Sequence, residues 1–180
     1  MRILAISGSL RAASSNQSAL QAAARLAPAG VEIILYDGLS RLPHFNPDLD
    51  GENPPASVAD WRAQLRASDG VLISSPEYAH GVPGSLKNAL DWVVGTGEFA
   101  GKPVALINTS PRAFHAQASL TETLATMSAQ VVSNACVEVP LLGKKLDAAG
   151  ILASAEIAGV IRSGLIQFAA TIAKEEACHV

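Results

Sequence analysis

Short apolar segments alternate with longer helical patterns along the chain. Five segments of strand length are mostly apolar on successive residues: 3–6, 31–35, 71–73, 104–107 and 131–139. Continuous apolar runs of this length are typical of strands that are buried on both faces of a sheet. Five segments with helical character follow the strands in turn: 15–27, 55–68, 83–94, 116–129 and a last one from about 148. The pattern therefore predicts alternating strands and helices.

Such alternation is typical of an α/β fold with right-handed crossovers and a parallel sheet covered by helices on both faces. Five strands fit the flavodoxin-like order 2-1-3-4-5 better than the six-stranded Rossmann order. The last helix carries one apolar stripe, formed by Ile157, Val160, Ile161, Leu165, Phe168 and Ile172. The irregular segment 37–54 contains three prolines and is expected to be a surface loop. We expect one domain, residues 1–180.

Composition excludes several classes of protein. Of 180 residues, 49% are hydrophobic and 16% charged, which rules out a disordered chain. A net charge of −3 provides no basic surface for nucleic acid. No apolar run approaches the roughly 20 residues of a membrane span. The two cysteines and four histidines are scattered without metal-site spacing, so no metal is expected. We expect a cytoplasmic protein.

The loop after the first strand is rich in hydrogen-bond donors and leads directly into a helix. Helix N-termini favour anions, because their N–H groups are unpaired and the helix dipole is positive there. Hydroxyl, amide and guanidinium groups add donors that suit a phosphate. The alternative is that a serine caps the helix and the arginine is merely solvated. The candidate phosphate-binding residues are Ser9, Arg11, Ser14, Ser15 and Asn16.

Two further loops follow the third and fourth predicted strands. Ligands of doubly wound sheets bind beyond the carboxyl ends of the strands, where the strand order reverses. In the second loop, Pro76, Glu77 and Tyr78 precede two glycines and a proline, a rigid backbone that suits a planar heteroaromatic ligand. In the third loop, Ser110 and Arg112 are weaker candidates, and the loop's aromatic side chains are expected at the other edge of the ring.

At these residues the sequence resembles the NADPH-dependent FMN reductase family, which includes quinone, chromate and azo-dye reductases. The first matching motif is Gly8-Ser9-Leu10-Arg11-x-x-Ser14-x-Asn16. The second is Pro76-Glu77-Tyr78-x-x-Gly81-Val82-Pro83-Gly84-x-Leu86-Lys87-Asn88-Ala89-Leu90-Asp91-Trp92. The resemblance implies a flavodoxin-like fold that binds FMN, with the first loop on the phosphate and the second along the isoalloxazine.

The same resemblance implies an oxidoreductase in which FMN carries the chemistry and no side chain is catalytic. NADPH or NADH is the expected donor, and a quinone, azo compound, metal oxyanion or second flavin the expected acceptor, in ping-pong order. Two alternatives remain open: a flavodoxin-type electron carrier and a non-flavin, nucleotide-binding regulatory module. Ala79 stands where the family usually has Asn, and residues 112–115 replace glycines found in many members. These departures affect the expected substrate geometry more than FMN binding.

Apolar residues on two predicted helices favour self-association. They are Leu86, Leu90, Trp92, Val93 and Val94 on the third helix and Leu120, Leu124 and Met127 on the fourth. Side chains that point about 100° apart on a helix cannot all face the sheet. Spare apolar surface usually means a protein partner, and we expect a homodimer or homotetramer. The alternative is that Trp92 fills the chain's own core.

Overall fold

The computed structural model describes residues 1–178, without the side chains of residues 176 and 178. Its strands form one parallel sheet in the order β2-β1-β3-β4-β5, with β6 also paired to β4. Both the flavodoxin-like class and the strand order predicted from the sequence are confirmed. The strands are β1 (Arg2–Ser7), β2 (Glu32–Tyr36), β3 (Gly70–Ser74), β4 (Pro103–Asn108), β5 (Gln130–Val131) and β6 (Val137–Glu138).

Helices cover both faces of the sheet. Buried side chains of α1, α5 and α6 form one core cluster, and those of α2, α3 and α4 form a second. The buried residues of the central strands alternate between the two clusters, as period-two side-chain geometry requires. The helices are α1 (Ser15–Arg25), α2 (Ala56–Arg66), α3 (Gly84–Asp91), α4 (Phe114–Thr126), α5 (Ala148–Ala153) and α6 (Ala155–Cys178).

The fifth predicted strand is interrupted. Instead of one strand over 131–139, the chain forms β5, a short 3-10 turn at Ser133–Ala135, and β6. β5 pairs with the beginning of β4 and β6 with its end, where Ile107 is opposite Val137. Ser133 and Asn134 are exposed in the turn while Ala135 is buried. These two adjacent polar residues thus interrupt the pairing with β4, and the segments on either side of the turn pair with it.

The last predicted helix is also divided, at Ser154. This residue has an extended backbone (φ −87°, ψ 105°) that ends α5. Its hydroxyl accepts a hydrogen bond from the Ile157 N–H at 3.4 Å, and so caps the start of α6. The apolar stripe of α6 is buried as expected except for Val160, which is 38% exposed.

Helix α6 also meets the length and composition of a membrane span. Within the 21 residues Ala155–Glu175, a stretch of 18 residues has a mean hydropathy of 1.2. Five of its large apolar side chains nevertheless pack into the core beside the sheet. A core helix of a soluble protein passes the same test, so this helix is weak evidence for a membrane.

The segment 37–54 is more than a surface loop. It contains two 3-10 turns, Leu39–Arg41 and Pro47–Leu49, and buries Leu39 in the core beside α2 and α3. The Pro43 carbonyl accepts hydrogen bonds from the Asn88 amide at 2.9 Å and from the Trp92 indole at 2.8 Å. The loop is therefore fixed to the end of α3.

The apolar residues that we expected to form a partner surface are buried inside the chain. All those named on α3, α4 and the residues that follow them are at most 8% exposed, except Val94 at 58%. Trp92, which is fully buried, fills the core, so the prediction of spare apolar surface on these two helices is wrong. Trp92 still has helical backbone angles (φ −63°, ψ −14°), and its side chain is buried because the loop at Pro43 and Phe45 covers it.

Candidate functional site

The predicted site residues come together around one cleft. It has a volume of about 340 Å³ and lies at the carboxyl ends of β1, β3 and β4. All ten candidates line it: Ser9, Arg11, Ser14, Ser15, Asn16, Pro76, Glu77, Tyr78, Ser110 and Arg112. We call this cavity the flavin cleft, after the ligand that the sequence resemblance implies.

The first loop lies directly against the second. The Gly8 N–H donates to the Ser74 carbonyl at 2.8 Å, which continues the pairing between β1 and β3. A side chain at Gly8 would place its Cβ 2.6 Å from the Ser75 hydroxyl, so only glycine permits this approach. Beyond it, the Arg11 N–H donates to the Ser9 hydroxyl at 3.3 Å. These two hydrogen bonds fix the path of the first loop where it lines the cleft.

The beginning of α1 fits an anion. Ser14 is the N-cap residue, with φ −95° and ψ 129°, yet its hydroxyl makes no capping hydrogen bond. The first turn, which starts at Ser15, contains no acidic residue. Both the hydroxyl and the helix N–H groups remain available to a ligand, and the positive end of the helix dipole favours a negative one.

Asn16 is positioned by two hydroxyl groups. Its Oδ1 accepts a hydrogen bond from the Thr109 Oγ1 at 3.0 Å and shares the single proton of the Ser74 Oγ, at 2.9 Å, with the Ile107 carbonyl, which is 2.8 Å from that hydroxyl. The Asn16 side chain is buried. Its Nδ2 has no hydrogen-bond partner among the described residues and belongs to a residue that lines the cleft. Ser74 and Thr109 therefore orient the amide for a ligand. The sequence analysis did not predict this role for either residue.

Glu77 has a second role that the sequence analysis missed. Its carboxylate accepts a hydrogen bond from the Ala116 N–H at 2.8 Å, at the start of α4. The N-cap position of α4 is Ala113, which has no side chain able to cap the helix. Glu77 supplies the missing acceptor and ties the second loop to the third, so its carboxylate is engaged within the protein.

Tyr78 begins a strained turn at the rim of the cleft. It exchanges backbone hydrogen bonds with Gly81 at 2.9 and 3.1 Å, and its side chain is 57% exposed. The two residues between them have positive φ, 48° at Ala79 and 60° at His80. Such a turn favours Gly, Asn or Asp, and a left-handed conformation costs other residues about 1–2 kcal/mol.

We expect the substitution Ala79→Asn to stabilise the fold by about 0.5–1 kcal/mol, because Asn tolerates a left-handed backbone better than Ala. Urea denaturation of the two proteins measures the difference. Ala100→Asn, at an exposed alanine without positive φ, is the matched control and should leave stability unchanged. Equal changes at both positions would show that the turn stores no strain.

The third loop separates two cavities. Ser110, Arg112 and Ala113 line the flavin cleft, whereas Pro111 and Phe114 line another cavity of about 430 Å³ beside β4 and β6. Neither Phe114 nor His115 lines the flavin cleft, so an aromatic contact of this loop with the ring edge stays a prediction.

Two other features lie beside the cleft. His80 and His115 stack with ring centroids 4.3 Å apart, which joins the second loop to the beginning of α4. Cys136 lines the farther cavity, and burial raises the pKa of its thiol, so it is not a reactive thiolate at neutral pH. Among the described residues, no three of His, Cys, Asp and Glu are grouped so as to hold a metal ion.

Four residues that the sequence did not single out complete the lining of the flavin cleft: Ala13, Thr109, Ala113 and Leu142. Leu142 comes from the segment after β6, far along the chain. The neighbouring Leu141 N–H donates to the Thr109 carbonyl at 3.0 Å and brings this segment to the third loop. No motif marks Leu142, and only the strand order places it there.

Fold and cleft together define a flavodoxin-like flavoenzyme. Residues 1–141 match the model of the NADPH-dependent FMN reductase family, and the chain belongs to that family. This confirms the sequence resemblance. It also confirms that the chain is an oxidoreductase, with FMN and NAD(P)H as its cofactors.

The similarity of the chain to individual proteins supports the same family membership. The chain is 38% identical over 157 residues to an NAD(P)H-dependent FMN reductase of Pseudomonas aeruginosa, covering 84% of each chain. It is 38% identical over 113 residues to a quinone reductase of Escherichia coli, covering 61% of this chain and 60% of that one. The solved structure of FerB, a flavoenzyme NAD(P)H:(acceptor) oxidoreductase from Paracoccus denitrificans, has a TM-score of 0.78 at 30% identity, covering 96% of this chain and 97% of FerB.

Proposed function

We propose that the protein transfers reducing equivalents from NAD(P)H, through FMN held in the flavin cleft, to small-molecule acceptors in the cytoplasm. Quinones, azo compounds, metal oxyanions and free flavin are the candidate acceptors. The observation that carries the proposal is that three loops far apart in the sequence place all ten candidate residues around one cleft. We further propose that residues 1–180 act as a single domain.

The chain's own residues fit the two ends of FMN. Ser9, Arg11, Ser14 and Asn16 offer donors for the phosphate at the N-terminus of α1, where two of them, Ser14 and Asn16, have unused polar atoms. The backbone of the second loop, fixed by the turn after Tyr78, runs along the opposite side for the ring. Ser15 lines the same wall and is assigned to the phosphate with them.

When bound, FMN would supply the redox chemistry, which is hydride acceptance from the nicotinamide and electron transfer to the acceptor. The protein contributes orientation and a partly enclosed site. Glu77 holds the second loop against α4, and Ser110 and Arg112 form the third wall. Arg112 makes no side-chain hydrogen bond or ion pair with the described residues, which leaves its charge available to an anionic substrate or donor.

We expect ping-pong kinetics with NAD(P)H and a quinone such as menadione, because one open cleft must serve both substrates in turn. Initial rates at several fixed quinone concentrations should give parallel double-reciprocal lines. Intersecting lines would show that both substrates bind together and would contradict the shared site.

The same assay separates the enzyme from the flavodoxin-type electron carrier. Such carriers are usually strongly acidic, and this chain has a net charge of −3. Steady NAD(P)H oxidation by the isolated protein supports the enzyme, whereas a requirement for a partner protein supports the carrier. A colourless purified protein that takes up no FMN would instead favour the non-flavin regulatory module.

We also propose a homodimer or homotetramer. With the apolar faces of α3 and α4 buried, the support for self-association comes from exposed apolar side chains elsewhere. Leu10 in the first loop, Tyr78 in the second, Phe114 at the start of α4 and Leu142 after β6 are each more than half exposed. Exposed apolar patches usually mark interaction sites. Light scattering at micromolar concentration should give two or four times the 18.6 kDa of one chain. A single-chain mass would contradict the proposal.

A further inference from the structure

A second polar cleft adjoins the first on the side of β2. It has a volume of about 330 Å³ and is bordered by the first loop, the outer side of α1 and the segment after β2. We call it the β2 cleft. Ser9 and Arg11 line both this cleft and the flavin cleft. The two cavities therefore meet at the residues assigned to the flavin phosphate.

The side chains of the β2 cleft suit a nucleoside. Gln17 and Gln21 are one helical turn apart on α1 and line the same side, and each amide offers both donors and an acceptor. Asp37 directly follows β2, where a carboxylate can accept hydrogen bonds from ribose hydroxyls. Leu39 and Ser40 complete the cleft with an apolar surface and a hydroxyl.

One group has hydrogen-bonding capacity that the protein itself does not use. The Arg11 guanidinium makes no hydrogen bond or ion pair with any described side chain, and Arg11 lines both clefts. Tyr36 also lines the β2 cleft, but its hydroxyl is buried against Gly38 and is not open to a ligand. The aromatic ring, not the hydroxyl, is therefore the part of Tyr36 that borders the cleft.

The charge balance favours a phosphate-bearing ligand. Asp37 forms an ion pair with Arg41 at 3.0 Å on the surface, which offsets part of its negative charge. Arg11 is the cation between the two clefts, and a phosphate linkage that passes from one to the other would meet it there. Free sugars or apolar compounds would leave this arginine unused.

We propose that the β2 cleft binds an adenosine phosphate, as the adenylate half of a dinucleotide whose other half occupies the flavin cleft. Two sources have this chemistry: FAD bound in place of FMN, and the adenosine half of NAD(P)H. The inference rests on the proposed function, because that function places the flavin phosphate at Ser9 and Arg11.

The test uses the full chain loaded with FMN and titrated with 5′-AMP in a calorimeter. The double variant Gln17→Leu/Gln21→Leu removes both amides without touching a residue of the flavin cleft. Loss of two neutral hydrogen bonds should weaken AMP binding at least about fivefold, with FMN retained in the absorbance spectrum. Gln167→Leu, at an exposed glutamine of α6, is the matched control and should bind AMP as the unaltered protein does.

Two further measurements identify the source of the adenylate. If FAD is the ligand, the double variant loses affinity for FAD but not for FMN in fluorescence titrations of the flavin-depleted chain. If NAD(P)H is the ligand, the KM for NAD(P)H rises at least about fivefold in the double variant, and the unaltered chain binds FAD no more tightly than FMN.

The proposal is overturned if AMP does not bind, if AMP displaces FMN, or if the double variant binds AMP as tightly as the control. Failure of the proposed function has a different signature, since the chain would then bind no flavin and oxidise no NAD(P)H. AMP binding that the double variant weakens in such a flavin-free chain would still support a nucleotide site at the β2 cleft.

Discussion

Replacing Arg11 by alanine is expected to weaken FMN binding by roughly 10- to 150-fold while leaving the fold intact. A charge-assisted hydrogen bond to a phosphate contributes about 1.5–3 kcal/mol, which corresponds to this range. Arg11 is exposed on the first loop, outside both core clusters, so its removal costs no packing. Its guanidinium has no ion-pair partner among the described residues, and no internal contact competes with the ligand.

Riboflavin distinguishes a phosphate contact from a contact with the ring. Because riboflavin lacks the phosphate, Arg11→Ala should leave its affinity unchanged while reducing that of FMN. Equal losses for both ligands would place Arg11 on the ring instead. Arg25→Ala removes the same charge from the exposed last turn of α1 and is the matched control. Unchanged FMN affinity in Arg11→Ala would show that this arginine is only solvated.

The fold was predictable where the hydrophobic pattern is continuous. Four of the five strand segments became single strands, since runs such as 71–73 and 104–107 are uninterrupted by polar residues. The segment 131–139 contains Ser133 and Asn134, whose exposed turn divides it. Ser154 similarly divides the last helix. In both places one or two polar residues break an element that apolar periodicity alone would continue.

The flavin cleft was predictable for a topological reason. Parallel strands end at one edge of the sheet, so polar loops after the first, third and fourth strands meet whatever their separation in sequence. Residues that act through the backbone or through another side chain carry no such signal. Thr109 and Ser74 orient Asn16, and Glu77 caps α4, and each role depends on distances that only the folded chain defines.

Helix geometry gave the wrong answer at the end of α3. The third predicted helix ran to Val94, but α3 ends at Asp91 and the backbone then turns. Within an uninterrupted helix Trp92 and Val93 would diverge by about 100°, which suggested an outward apolar side chain. Both are nevertheless buried, although Trp92 keeps helical backbone angles, because the loop at Pro43 covers the indole. Tertiary contacts, not local periodicity, decide this position.

Trp92→Ala is expected to destabilise the fold by about 3–5 kcal/mol, the usual range for a large aromatic side chain removed from a core. The indole is fully buried, donates to the Pro43 carbonyl at 2.8 Å and meets Phe45 edge-on at 5.1 Å. Its loss therefore opens a cavity and releases the loop that covers α3. At about 2–4 °C per kcal/mol for a chain of this size, the melting temperature should fall by roughly 6–20 °C.

Two variants and a second protein concentration show whether Trp92 acts inside one chain or between chains. Trp92→Phe keeps an aromatic ring but loses the hydrogen bond to Pro43. The lost hydrogen bond should lower the free energy of unfolding by about 1 kcal/mol, in addition to the loss caused by the smaller ring. Val94→Ala, at the exposed neighbour, should stay within about 0.5 kcal/mol of the unaltered protein. If Trp92 acts in the core, the loss of stability on substitution does not depend on protein concentration. If it acts at a subunit interface, the loss of stability depends on protein concentration. The role in the core would be contradicted if Trp92→Ala kept the melting temperature of the unaltered protein but had a smaller mass by light scattering. That result would place the side chain at a subunit interface.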